Sequence, residues 1–227
     1  MFRKANRFIF NLTHPVLGEV WELHRVTNDK PADIRQREYE ITPQRLEDLI
    51  VEYKKNNFEF ISVQELANRL NKKSTHKFVT VTLDDGYQDN LTTALPIFEK
   101  YNIPFCIFIA KDYIQQGYPP YEMLTEQQVL QLAKHPLCTI GSHTLSHPQL
   151  SKLNEQQQFA EISECKKWLE QLLNQKINIF AFPSGSYNKT TLQILPQIGI
   201  SLSFVAWGGP LRKHCTYNPL GIPRIII

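Results

Sequence analysis

No apolar run in this chain approaches the roughly 20 residues that a membrane-spanning helix requires, which removes the transmembrane class. Cysteine is sparse, and Cys106, Cys138, Cys165 and Cys215 lie far apart with no Cys-x-x-Cys spacing. Buried free thiols are therefore expected, not disulfides or thiolate metal sites. Neither sign of charge dominates. The 25 Lys and Arg against 22 Asp and Glu leave a formal net charge of +3, and the cations are scattered apart from small groups such as Lys72-Lys73 and Arg212-Lys213. A nucleic-acid partner is not suggested. No internal repeat, low-complexity tract or Pro/Gly/Ser-rich linker divides the chain, and one domain over residues 1–227 is expected. The basic residues 1–7 lead into only a short apolar stretch, 8–12, broken by Asn11 and lacking a small-residue cleavage site. That is too little for a secretory signal, so a cytoplasmic location is expected.

What is present is an ordinary globular composition, with 42% apolar and 21% charged residues, in which strand-like and helix-like segments alternate. Residues 18–26 alternate polar and apolar as a strand does. Thr42 before Pro43 reads as a helix start, with Leu46, Leu49, Ile50 and Tyr53 on one face. A short strand at 58–63, a helix at 63–70, the strongest strand at 77–83, a helix through 94–100 and a buried strand at 103–110 follow. Thr125 with Gln128 predicts a capping box for a helix to 134, and Asn154 a cap for a long helix over 155–174 with Phe159, Ile162, Leu169 and Leu172 at helical spacing. Further strands are predicted at 138–143, 177–182, 202–207 and 222–227, with a helix over 189–198 ended by Gly199. So many alternating units predict a parallel sheet in an α/β fold, a distorted (β/α) barrel whose chemistry sits at the carboxyl ends of the strands.

Two short segments placed after predicted strands carry that chemistry. Thr82-Leu83-Asp84-Asp85-Gly86 closes the strongest strand with two carboxylates and a glycine, and Ser142-His143-Thr144-Leu145-Ser146-His147-Pro148 holds two imidazoles four residues apart. One carboxylate and two imidazoles can hold a divalent metal and leave coordination positions open. Adjacent strand residues face opposite ways, and Gly86 supplies the turn that could bring both carboxylates to one site. Asp85 is assigned as a metal ligand with His143 and His147, and Asp84 as the general base. Zinc is the expected metal, with cobalt, nickel, iron or manganese also suited to this donor set. The reaction class is metal-assisted hydrolysis.

These residues resemble the polysaccharide deacetylases of the NodB-homology type, carbohydrate esterase family 4. That family couples a Thr-Phe-Asp-Asp-Gly segment to a His-Ser/Thr-x-x-His segment, here with Leu83 in place of Phe. The likeness runs from about Leu23 to the C-terminus and includes Ile103-Pro104-Phe105-Cys106-Ile107-Phe108-Ile109 and the loop Phe182-Pro183-Ser184-Gly185-Ser186-Tyr187. It implies a NodB-type barrel that removes N-acetyl groups from hexosamine residues of a polysaccharide or its lipid-linked precursor. The substrate is then an acetylated glycan or glycolipid, with association to membrane-bound glycan synthesis in view. Pro183, Ser184, Gly185 and Tyr187 would form the substrate loop, with a backbone N–H there stabilising the oxyanion, and Trp207 would stack on a sugar ring.

The chain departs from the family at two points. The stretch before Pro183 has no Arg to orient the base, and the late segment Gly221-Ile222-Pro223-Arg224-Ile225 has no His to act as acid. It resembles instead a capsule and biofilm subgroup ending in Pro-Arg-Ile. Arg224 is then the expected partner of Asp84, and the candidate acids are His24, at the end of the first strand where members of that subgroup also place a His, and His214, in the loop before the last strand. Two alternatives remain at this level: a small amide or O-acetyl ester hydrolase on the same site, and a non-catalytic glycan-binding protein.

Overall fold

The computed structural model describes residues 13–29, 39–71 and 76–227, so the readings of the basic N-terminus and of Lys72-Lys73 lie outside the described residues. Among the described residues eleven strands run in order: β1 Val16–Leu23, β2 Arg25–Val26, β3 Glu40–Ile41, β4 Glu59–Phe60, β5 Phe78–Leu83, β6 Phe105–Ile109, β7 Cys138–Ser142, β8 Ile179–Ala181, β9 Leu202–Phe204, β10 Leu211–Arg212 and β11 Ile225–Ile226. The helices are α1 Pro43–Lys55, α2 Val63–Asn71, α3 Leu95–Tyr101, α4 Lys111–Gln116, α5 Glu126–Ala133, α6 Glu155–Leu173 and α7 Lys189–Gln197. Local sequence chemistry starts several of them. Thr42 Oγ1 accepts from Arg45 N at 3.2 Å ahead of Pro43, and reciprocal capping boxes form at Thr125 with Gln128 and at Asn154 with Gln157.

The main sheet has the order β10-β1-β5-β6-β7-β8-β9 and is parallel throughout except for β10, which runs antiparallel to the first residues of β1. β4 pairs with Phe78 and Val79, the start of β5 that β6 does not reach. The final segment closes the curl. Ile222 bridges to Phe204 of β9, while β11 pairs in parallel with Trp21 and Glu22 of β1. The expected distorted barrel is the observed architecture, with helices packed outside the sheet.

Alternation along the strands sorts the side chains. Val79, Val81 and Leu83 of β5 join the core beneath the helices, whereas Phe78 joins Val20, Cys106, Phe108, Ala181, Phe204 and Ile222 in a second core. On the Phe78 face the next residues are Thr80, Thr82 and Asp84, all buried, so the barrel interior passes from apolar at its floor to polar at the carboxyl ends of its strands.

Three details differ from the expectations. The predicted strand 18–26 breaks at His24, where the chain leaves the barrel and β2 pairs with β3 in a separate sheet. Phe159 is exposed, because the inner face of α6 runs through Gln158, Ile162, Cys165 and Leu169; the Gln158 amide is accommodated by Leu153 O at 2.9 Å and the Thr191 hydroxyl at 2.6 Å. Helix α4 and strand β10 lack a strong periodic signal and were not anticipated. All four cysteines are free, and no described helix is long and apolar enough to cross a membrane.

Candidate active site and metal centre

Strand β5 delivers Asp84 to the barrel interior by continuing the Phe78, Thr80, Thr82 alternation, and Asp84 N still bonds Leu23 O at 2.9 Å. Regular strand would then turn Asp85 away. Instead Asp85 has φ 75° and Gly86 φ 89°, and this left-handed pair swings the second carboxylate back to the same end of the barrel. A side chain at Gly86 would meet Ile109 and Ile114 at 3.0 and 3.1 Å in a backbone conformation that disfavours it. The histidine segment also works as a turn, not as a helix. Thr144 and His147 have φ of 70° and 60°, and His147 N bonds Thr144 Oγ1 at 3.0 Å. Glu161 on α6 pins the turn: its Oε2 accepts from Leu145 N at 3.1 Å and Ser146 N at 2.9 Å, and its Oε1 from the Ser146 hydroxyl at 2.6 Å.

The two turns bring Asp85, His143 and His147 together, with their ligating atoms within 4.8 Å of one another. Asp85 Oδ1 lies 3.6 Å from His143 Nε2 and 3.4 Å from His147 Nε2, and it is buried without a hydrogen-bond partner. His143 is wholly buried, and its Nδ1 meets Ala181 O at 2.9 Å, a contact that makes Nδ1 the protonated nitrogen and leaves the Nε2 lone pair facing Asp85. Burial pushes its pKa down to about 4 despite the nearby carboxylates, so the imidazole is neutral and able to ligate at ordinary pH. Two imidazoles beside an orphaned carboxylate oxygen fit a divalent cation.

Beside this set lies a fully buried ion pair closed by the last segment of the chain. Arg224 donates from Nη1 to Asp84 Oδ1 and from Nη2 to Asp84 Oδ2, each at 2.7 Å. Two further donors reach Thr82 Oγ1 at 3.0 Å, from Nη1, and Val205 O at 3.1 Å, from Nε. Burial opposes the charge on Asp84, but the Arg224 guanidinium outweighs it and holds the carboxyl well below the usual carboxylate range. Arg224 sits between Ile222, which meets β9, and β11, which meets β1, so the segment that closes the barrel also pairs Asp84. On the other side of the guanidinium lies Glu22, with Oε2 3.3 Å from Arg224 Nε; burial pushes its pKa up to about 8 against the pull of Arg224.

Glu22, Asp84, Asp85, His143 and His147 line one cavity of about 470 Å³, together with His24, Tyr39, Tyr87, Tyr113, Tyr118, Ser184 and Trp207. Trp207 is 60% exposed at its mouth. Its ring packs so closely on Gly185 that a Cβ there would sit 2.7 Å from it, and Gly185 has φ 58°, so this position requires glycine. Pro183 and Gly185 are buried beneath Ser184, which has φ 50°. Tyr187 is not among the residues lining the cavity; it is exposed and stacks on Phe182 at 4.8 Å. His24 lines the cavity from the end of β1, with Nδ1 buried and without a hydrogen bond. His214 lies elsewhere: it follows β10, whose partner is the opposite end of β1, and Lys213 N bonds Pro15 O at 2.9 Å.

The family model described as Polysaccharide deacetylase matches residues 71–203, more than half of the chain. This chain is a member of the polysaccharide deacetylase family. It is 30% identical over 192 residues to "Putative polysaccharide deacetylase YxkH" of Bacillus subtilis (strain 168), covering 84% of this chain and 64% of that protein. The chain thus spans just under two thirds of that relative's length. Among solved structures it is similar to the Streptococcus pyogenes deacetylase PplD in complex with acetate, at TM-score 0.81 and 25% identity, covering 93% of this chain and 92% of that one. The fold also matches IcaB from Ammonifex degensii, at TM-score 0.82 and 24% identity over 93% and 92% of the two chains.

Within this deacetylase-family site, the residues that sequence reasoning did not single out are Glu22, Tyr39, Tyr87, Tyr113, Tyr118 and Glu161. Glu22 alone had a usable signal, since it lies two residues before His24 on the same strand face. Tyr113 comes from the short helix α4 and the other tyrosines from segments without periodicity, and they meet only in three dimensions, where Tyr113 stacks on both Tyr118 at 4.4 Å and His147 at 5.4 Å.

Proposed function

We propose that this family member hydrolyses the N-acetyl group of a hexosamine residue in a polysaccharide or a lipid-linked glycan precursor. The observation that supports this best is the convergence, in one cavity, of a three-ligand set containing an orphaned Asp85 oxygen and a second carboxylate, Asp84, clamped by Arg224. A divalent cation held by Asp85, His143 and His147, zinc by preference, would supply Lewis-acid polarisation of the acetyl carbonyl and lower the pKa of water.

The remaining steps belong to the chain's own residues. Asp84 is the proton acceptor for the attacking water. Arg224 fixes the plane of its carboxylate and keeps it ionised throughout the working pH range. The Ser184 peptide N–H is the donor proposed for the oxyanion, presented by the buried Pro183 and Gly185. His24 gives a proton to the leaving nitrogen, which otherwise would depart as a poor amide anion; its place on the cavity wall favours it over His214. Trp207 offers its exposed face to a sugar ring at the mouth.

The test is acetate release from a panel of N-acetylhexosamine oligomers, with and without added Zn²⁺ or Co²⁺, comparing the protein with its Asp84→Asn variant. Metal-dependent acetate that is lost in the variant is the expected result. No acetate from any oligomer by a protein that demonstrably binds metal would overturn the reading in favour of a glycan-binding role.

A further inference from the structure

An acetamido group carries an N–H, and an acetate ester does not. A substrate N–H taken into a dry site must find an acceptor there, or its desolvation counts against binding and turnover. Three carboxylates line the cavity: Glu22, Asp84 and Asp85. Asp84 has both oxygens engaged by Arg224, and Asp85 belongs to the metal-ligand set. Glu22 is 2% exposed, and its Oε2 has no hydrogen bond, because the nearby Arg224 Nε gives its proton to Val205 O. A ligating atom of Glu22 lies within 4.8 Å of one of His24 and one of Asp84, the groups assigned to the leaving nitrogen and the attacking water. An unsatisfied acceptor is costly to bury, and this one belongs to the part of the cavity wall that also carries His24 and Asp84.

We propose that Glu22 is the specificity-determining residue that accepts the acetamido N–H and so selects N-acetyl over O-acetyl substrates. This rests on the deacetylase reading above. The carboxyl keeps a lone pair for this bond whether or not it is protonated, so the selection does not depend on its ionisation. After the C–N bond breaks, the same oxygen faces the product amine, which brings donors of its own and no longer holds the acetyl group.

The test uses Glu22→Met, which removes the acceptor at similar volume, and Glu22→Gln, which keeps a carbonyl oxygen in its place and removes the charge. kcat/KM is measured on an N-acetylhexosamine oligomer and on an O-acetylated xylan, with metal content checked for each protein. In Glu22→Met the amide reaction should fall roughly 10- to 100-fold, as expected for loss of a buried hydrogen bond to a carboxyl, with ester hydrolysis falling much less. Glu22→Gln should recover most of the amide reaction. Equal losses in Met and Gln variants would show that Glu22 acts through its charge on Arg224, and no loss in either would show that it does not meet the substrate. Both results overturn the inference while leaving the deacetylase reading intact. Absence of metal-dependent acetate release by the unaltered protein would remove both.

Discussion

Replacing Arg224 by Met should unfold the closure of the barrel from its most buried charge. The side chain is 1% exposed and makes two bonds to Asp84, one to Thr82 and one to Val205. Removing one partner of a buried pair leaves the other charge uncompensated, a loss of about 3–5 kcal/mol. For a chain of this size that lowers Tm by roughly 6–20 °C. The pH dependence has a definite sign. The folded pKa of Asp84 is depressed, so its pairing adds stability above the unfolded value near 3.8, and that stability is lost as pH falls through the folded value. Without Arg224, the largest lowering influence is gone and burial, opposed only by the neighbouring His143 and His24, pushes the Asp84 carboxyl up. The variant's deficit should therefore be greatest near pH 7 and shrink toward pH 4 as Asp84 takes up a proton. Glu22, pushed up to about 8 by burial, is neutral over most of that range and adds no second orphan charge. Melting of metal-free protein by calorimetry or circular dichroism between pH 4 and 7 reads this directly, with Asp84→Asn/Arg224→Met as the paired control that should recover most of the loss. A deficit under about 1 kcal/mol, or one that does not change with pH, would refute the buried-pair reasoning.

Glu161→Ala should free the turn that holds His147 and weaken metal binding by roughly 10- to 100-fold, measured by competition with a chelator; unchanged affinity would mean the turn holds itself. His24→Ala should remove the alkaline-side fall of the pH–rate profile, whereas His214→Ala, at the far end of β1, should leave the profile as it is. Trp207→Ala should raise KM about 3- to 10-fold with kcat nearly constant, as expected when uniform binding by an exposed ring is lost. An effect confined to kcat would place the ring at the reacting centre instead.

Much of the fold was legible because its signals are local. Thr42, Thr125 and Asn154 announce helix starts within four residues, and the apolar run ending in Asp84 announces a buried strand. The break at His24 was not legible, since 18–26 keeps strand-like alternation across it, and only the pairing of β2 with β3 shows where the chain departs. Phe159 misled because its spacing is helical, yet the face of α6 that packs is rotated toward Gln158, whose polar amide finds two partners in the interior.

The sequence by itself determined the metal-ligand candidates and the base candidate, because Asp-Asp-Gly after an apolar strand and His at a spacing of four are short-range patterns with few uses together. It also determined the barrel class, through the order of its segments. Tertiary structure alone decided how those residues are made to work. Asp84 and Arg224 are 140 residues apart and meet only when the final segment closes the barrel. His24 is separated from His214 as a candidate acid by which end of β1 each one adjoins. The oxygen of Glu22 is left without a hydrogen bond only because Val205 takes the Arg224 Nε–H. Each of these depends on burial and on contacts distant in the chain, and neither property is written in any local stretch of residues.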